Sequence, residues 1–329
     1  MDPKDTSGIQ SEPLVSIVIM TYNSSKYVLE TLESTISQTY HNLELIVTDD
    51  CSVDNTIELV ESWIKNNRER FTNAEVIKTP VNSGIPANCN RGVKASSGEW
   101  IKIIAGDDIL LDNCVASFIN VITGKPWMRF IASEMFYINS EGDIVENKDS
   151  RYEAIRKYFL SLTAEEQLKI YARFPLFLNS PSFFIHKPAL QSINYFDEEF
   201  RIYDDLPMIF KILEKGIRID YIDIKTVKYR IYVDSLSRTI NNSISNIRNA
   251  EQIGCFKKYR MRYLKKSNIT DLIVMYDFWL DHSYKGVFGF KGLPVMYKLN
   301  FYQNYLNRLA RCYKKSDTVL SASDHIYLH

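Results

Sequence analysis

Between Leu14 and Asp108, short apolar runs alternate with amphipathic segments, and this rhythm restricts the fold more than any other feature of the chain. LVSIVIM reads as a buried strand, TYNSS as a polar turn, and KYVLETLESTISQT as a helix with apolar residues at three-to-four spacing. LELIVTD repeats the strand character, CSVDNT supplies helix-capping chemistry, and IELVESWIKNN reads as a second helix. AEVIKTP is a third short strand, NSGIPANCNRGVKAS a loop entering a helix, and EWIKIIAGDD a fourth strand ending in an acidic pair. Such alternation builds an α/β fold whose mostly parallel sheet is covered by helices on both faces. Ligands of such sheets bind at the carboxyl ends of the strands. TYNSS, TDDCS and AGDD are predicted to meet there.

Past Gly124, Lys125 and Pro126 the rhythm is lost. RFIASEMFYI reads as a strand and TAEEQLKIYARF as a helix, and YFDEEFRIYDDLPMIFKILEKG ends in a helix terminated by Gly216. From about Ser243 to Lys315 the pattern is helical and locally basic, with Lys257, Lys258, Arg260, Arg262, Lys265 and Lys266 crowded into one acid-free segment. The expected organisation is a flexible stretch 1–12, a β-α half 13–125, a mixed half 126–240 and a helical basic region 241–329.

Composition narrows the partners. Lys plus Arg and Asp plus Glu number 40 each, so net charge gives no reason to expect nucleic acid. The five cysteines, Cys51, Cys89, Cys114, Cys255 and Cys312, are scattered and lack any C-x-x-C spacing, which argues against a disulfide framework or zinc site and fits a reducing cytoplasm. The five histidines, His41, His186, His282, His325 and His329, show no metal-ligand spacing. MDPKDTSGIQSEP carries acids and no apolar h-region, so it does not read as a secretory signal, and no run of about 18 apolar residues offers a spanning helix. Any membrane contact is expected to be peripheral.

Three acid pairs stand out: Asp49-Asp50, Asp107-Asp108 and Asp204-Asp205. Taken singly, each reads equally well as a helix cap or a solvated turn, and Asp54 in SVDNT reads as a cap outright. Together they suggest one acidic cleft. Adjacent carboxylates inside IKIIAGDDILL need compensation, because desolvation disfavours their charge. Oxygen-only ligands favour Mn²⁺ or Mg²⁺, and such an ion in turn favours an anionic substrate.

VSIVIMTYNSSKYVLETLESTISQTYHNLELIVTDDCSVDNT, followed by NSGIPANCNRGVKASSGEWIKIIAGDDIL, resembles the nucleotide-sugar-binding half of family 2 glycosyltransferases of GT-A fold, over roughly Pro13 to Asp112. The resemblance implies a Rossmann-like central sheet with a mixed acceptor-binding region and a helical C-terminal extension. It places AGDD at the family's DXD site, which holds the metal bridging the donor diphosphate and touches the ribose. Ala105 stands at the usual first aspartate, so the burden moves to Asp107 and Asp108 as metal and donor ligands, and the departure leaves open which of them takes ribose and which takes metal. Thr21 and Tyr22 would line the base pocket, Tyr22 stacking on a pyrimidine, and Asp50 would accept from the ring N–H of uracil. Arg91 would touch base or phosphate, an ion pair being its other reading.

Downstream, FDEEFRIYDDLPMIFKILEKG is similar to the family's segment ending in an E-D pair before a helix. Asp204 and Asp205 stand at that pair, and the resemblance makes Asp205 the general base, its charge expected to be favoured by the helix start. YRIYVDSLSR resembles a Y-R-x-H-x-x-S-x-S run with Tyr232 in place of the histidine; Arg230 remains a candidate for the donor phosphates, a structural ion pair being its equal alternative.

The implied activity is inverting, metal-dependent transfer of a hexose, glucose or galactose, from a UDP-sugar to a hydroxyl of a lipid-linked glycan. The product would be β-linked, within bacterial O-antigen or capsule assembly. The basic tail adds an expected peripheral contact with anionic membrane at the cytoplasmic face, a basic helix packed on its own domain being the equal alternative. A sugar nucleotidyltransferase would show a glycine-rich loop where this chain has MTYNSS, and a phosphoacceptor receiver module does not match AGDD.

Overall fold

The β-α half forms as the periodicity predicts. Strands β1 (Val15–Thr21), β2 (Leu43–Asp49), β3 (Asn73–Lys78) and β4 (Trp100–Ala105) are linked by helices α1 (Val28–Ile36), α2 (Thr56–Asn67) and α3 (Ile85–Ala95). All four strands run parallel, with Val18 of β1 opposite Ile46 of β2 and Ile103 of β4. Successive strand residues point to opposite faces, so Val18, Ile46, Ile101 and Ile103 join one buried core while Ile17, Ile19, Leu45, Val47 and Ile104 join the other. Helix α3 lies close on the first face, where a Cβ added at Gly92 would sit 2.3 Å from Val18 Cγ1. The computed structural model describes residues 12–145, 158–173, 178–231, 242–276 and 278. The N-terminal stretch, Tyr232 and the residues after it in YRIYVDSLSR, and the tail with Cys312 and LNRLARCYKK lie outside them.

The mixed half extends the same sheet instead of forming its own. Short β5 (Ile109–Leu110) leads into α4 (Cys114–Gly124), followed by β6 (Phe130–Ile138), β7 (Ile144–Val145), α5 (Ala164–Arg173), β8 (Phe183–His186) and α6 (Lys187–Ser192). Then come α7 (Asp205–Glu214), β9 (Asp220–Arg230) and α8 (Asn242–Cys255). Strand order is β3-β2-β1-β4-β8-β6-β9-β5, with β7 on β6. β8 is antiparallel to both β4 and β6, so a four-residue strand joins the two halves. FFIH is too short and too uniformly apolar to show alternation, and β9 interleaves Asp and Lys with apolar residues. Neither is legible as a strand in the sequence. Helix α7 does stop at Gly216, whose φ of 74° lets the Ile217 N–H reach the Ile212 carbonyl at 3.2 Å.

The basic segment after α8 forms a π-helical turn, Phe256–Arg260, packed on the domain. Lys258 pairs with Asp197 and Glu199 at 2.6 Å each. Buried Arg260 donates to the carbonyls of Ala172 and Arg173 at the end of α5, both at 2.9 Å, and Arg262 pairs with Glu214. Three of the cations that suggested a membrane surface are thus committed within the protein.

Candidate active site

The loop after β1 is tied to the loop after β2 before any ligand is considered. Asn23, at φ 50°, receives the Val53 N–H on its side chain at 2.9 Å and donates its own N–H to the Ser52 hydroxyl at 2.8 Å. Asp54 accepts from the N–H groups of Thr56 and Ser25, both at 3.1 Å, so it closes a turn just ahead of α2 and ties it to the loop after β1; the cap position itself is Asn55, not the Asp54 read from SVDNT. Thr21 is 1% exposed and its hydroxyl donates to Asp49 at 2.7 Å, so this side chain braces β1 against β2 and does not line a pocket. Asp49 also accepts the Ser52 N–H at 2.7 Å. Tyr22, by contrast, is 47% exposed and presents a ring at the strand end.

Asp50 is buried and occupied. Its carboxylate accepts from the N–H groups of Ser83 at 3.0 Å and Gly84 at 2.8 Å, the Ser83 hydroxyl at 2.9 Å, and Arg91 at 2.6 Å. Burial opposes its charge, but these donors outweigh burial and hold its pKa below the ordinary carboxylate value. Arg91 also donates to Ser83 Oγ at 2.6 Å and Asn88 Oδ1 at 3.0 Å, so the ion-pair reading of this arginine is realised with Asp50 itself. Ser83, Gly84 and Asn88 are participants that motif reading missed; the SGIP junction before a helix was the signal available.

At the end of β4, Asp108 is 1% exposed. Its Oδ1 accepts the Arg230 N–H at 2.9 Å, whereas Oδ2 is buried without a partner. Burial, then the neighbouring Asp107, push its pKa well up, against the Arg230 N–H and the fields of Lys102 and Arg230. The Arg230 side chain donates to the carbonyls of Asp107 at 2.9 Å, Asn139 at 3.3 Å and Ser140 at 3.1 Å, and pairs with Glu30 at 2.6 Å. Its guanidinium lies 4.2 Å from the Tyr27 ring centre. Every guanidinium nitrogen is engaged within the protein, so Arg230 clamps the AGDD turn and has little left for donor phosphates. Lys102, fully buried in β4, is caught by the carbonyls of Pro181 and Phe183 and has its pKa pushed down by burial. Two buried cations therefore oppose the desolvation of Asp108 without cancelling it.

Among the described residues no group of three or more His, Cys, Asp or Glu side chains could cage a metal. A divalent ion fits only in a narrower sense. The unpartnered Oδ2 of Asp108 is an acceptor whose burial costs about 1–3 kcal/mol, and a hard cation would meet it.

Asp204 and Asp205 open α7, both partly buried, and Asp204 lines a small void with Ile103, Ser180, Phe183 and Met208. The Asp205 carboxylate accepts the Leu206 N–H at 2.6 Å. Burial first, then the charge of Asp204, push the Asp205 pKa up to about 7. Burial raises Asp204 too, with the Ser180 hydroxyl 3.4 Å away. This corrects the expectation that a helix start would favour the charge: desolvation and a like neighbour win. The pair adjoins the strand-end loops. The Cys89 thiol on α3 feels Asp204, Arg91 and Asp205, and it touches Met20, whose carbonyl accepts the Gly106 N–H at 2.9 Å.

An open, mostly parallel sheet that gathers acid pairs at its strand ends is the architecture of GT-A glycosyltransferases. Residues 16–176 match the Glycosyl transferase family 2 profile, so the chain carries a family 2 glycosyltransferase domain. It is 33% identical over 132 residues to the glycosyltransferase GlyG of Streptococcus pneumoniae, a match spanning 40% of this chain and 42% of that protein. Among solved structures, S. aureus TarS in complex with UDP-GlcNAc superposes with a TM-score of 0.58 at 19% identity, covering 85% of this chain and 76% of that one. Mannosyltransferase PcManGT from Pyrobaculum calidifontis, in complex with GDP-Man and Mn²⁺, superposes at 0.59 and 14% identity, covering 97% and 82%. At these identities the superpositions speak for the fold alone.

Proposed function

We propose that this protein is an inverting glycosyltransferase that moves a hexose from a UDP-sugar to a hydroxyl of a surface-glycan acceptor, with Asp205 as the base. The observation that carries this reading is the Asp204-Asp205 pair at the start of α7, set beside the strand-end loops, with burial and the charge of Asp204 pushing the Asp205 pKa up to about 7. A base works best when its pKa lies near the operating pH, because it is then both deprotonated and strong enough to take a proton. Asp205 would accept the proton of the attacking hydroxyl as oxygen bonds to the anomeric carbon and the diphosphate departs from the opposite face. An α-linked donor then yields a β-linked product.

Tyr22 offers the stacking face for the base. Asp50 acts chiefly through the 83–84 loop and Arg91, since its lone pairs are already taken. Asp107 and Asp108 would hold Mn²⁺ or Mg²⁺, and such an ion would supply charge neutralisation of the leaving diphosphate. A UDP donor is supported by the UDP-GlcNAc complex of TarS, whereas the GDP-Man complex of the archaeal neighbour supports metal use with another base.

The test is a thermal-shift panel of UDP, CDP, GDP and UDP-sugars with and without Mn²⁺, followed by UDP release from each stabilising donor. Stabilisation by UDP that needs Mn²⁺ and is lost in Asp108→Ala is the expected result. Equal stabilisation by all nucleotides, or none, overturns the donor assignment.

A further inference from the structure

Glu251 on α8 gathers the main chain that leads into the acid pair. Its carboxylate accepts the N–H groups of three consecutive residues: Arg201 at 2.6 Å on Oε1, then Ile202 at 2.9 Å and Tyr203 at 3.3 Å on Oε2. Successive N–H groups converging on one point form an anion-binding concavity, and a carboxylate placed there makes charge-assisted bonds. Here the anion is the protein's own. Asp204 is the next residue.

The same run is held from its other side by the β-α half. The Arg201 carbonyl accepts the Ile85 N–H at 2.7 Å, and its guanidinium donates to the Asn82 carbonyl and Oδ1 at 3.0 and 2.9 Å. Between Asn82 and Ile85 lie Ser83 and Gly84, whose N–H groups hold Asp50. Gly84 has φ 97°, and a Cβ there would come within 2.7 Å of the Arg201 carbonyl oxygen, so the two loops are in close contact. Residues 201–203 thus sit between the Asp50 loop and helix α8.

We propose that Glu251 is a positioning residue for the Asp204-Asp205 pair, fixing its approach from a helix outside the matched family 2 segment. This rests on Asp205 being the base. Without the carboxylate, the three N–H groups turn to water and the run before Asp204 loosens. A displacement of about 1 Å at a reacting group can cost 10²-fold in rate.

Three variants test it: Glu251→Gln, whose amide nitrogen cannot accept; Glu251→Asp, which keeps the charge on a shorter stem; and Asp205→Asn. UDP release from the best donor of the panel, its pH profile, and UDP affinity are measured in each. Glu251→Gln should release UDP about tenfold or more slowly, with UDP affinity within about twofold, and its rate midpoint should fall as water reaches the pair. Glu251→Asp should recover part of the loss. Normal turnover and midpoint in Glu251→Gln, or a loss that tracks the unfolded fraction, overturns the positioning role while leaving the base assignment standing if Asp205→Asn is inactive. Near-normal turnover in Asp205→Asn overturns both.

Discussion

At the scale of single residues, the acid pairs have different duties because their surroundings differ. Asp50 meets four protein donors and is stabilised as an anion; Asp205 meets only the N–H groups of Leu206 and its own backbone beside a like-charged neighbour, and its proton is retained to about pH 7. Turnover should therefore rise with pH through one proton, with a midpoint near 7 belonging to the Asp204-Asp205 pair, measured as UDP release between pH 5 and 9. Asp205→Asn should remove that limb, lowering turnover by about 10²-fold or more while Mn²⁺-dependent UDP binding persists. A second residue-scale expectation concerns Asp50→Ala. It leaves the Ser83 and Gly84 N–H groups and Arg91 without their acceptor, so UDP affinity should fall together with stability, measured by calorimetry and melting.

At the scale of elements, the site depends on how closely α3 and α7 sit on the sheet. Gly92 is where α3 touches β1 and β2, and a methyl there would be 2.3 Å from Val18 and 3.0 Å from Thr48. Gly92→Ala should destabilise by about 1–3 kcal/mol through overpacking, and because α3 carries Asn88 and Arg91, UDP binding should weaken with it. Helix α7 is anchored by Phe210, fully buried with its ring 5.1 Å from Tyr171 on α5 and 5.9 Å from Tyr259 after α8. Phe210→Ala should cost about 3–5 kcal/mol in urea unfolding, since the cavity would open where three elements meet.

At the scale of the whole molecule, stability and turnover should move in opposite directions across pH if Asp205 is the base. A carboxyl whose folded pKa is raised binds protons more tightly when folded, so between the ordinary value near 4 and about 7 the pair's contribution to stability falls as pH rises. The melting temperature without ligand should accordingly decline over the range in which turnover climbs, and Asp204→Asn should flatten that decline by removing the like charge. Much of this was legible in the chain. The periodicities of LVSIVIM, LELIVTD and EWIKIIAGDD prescribe parallel strands with their loops at one end, because side-chain period and strand-to-helix alternation are local properties. The three acid pairs can be read off the ends of predicted strands and of a predicted helix in the same local way. What the chain could not declare is which donors reach which carboxylate. Thr21 faces inward, Arg230 is spent on the AGDD turn, Asp50 is filled by Ser83, Gly84 and Arg91, and Glu251 holds residues 201–203 from about fifty positions away. Those assignments depend on contacts between distant segments and on the desolvation that packing imposes, and only the assembled tertiary structure sets either one.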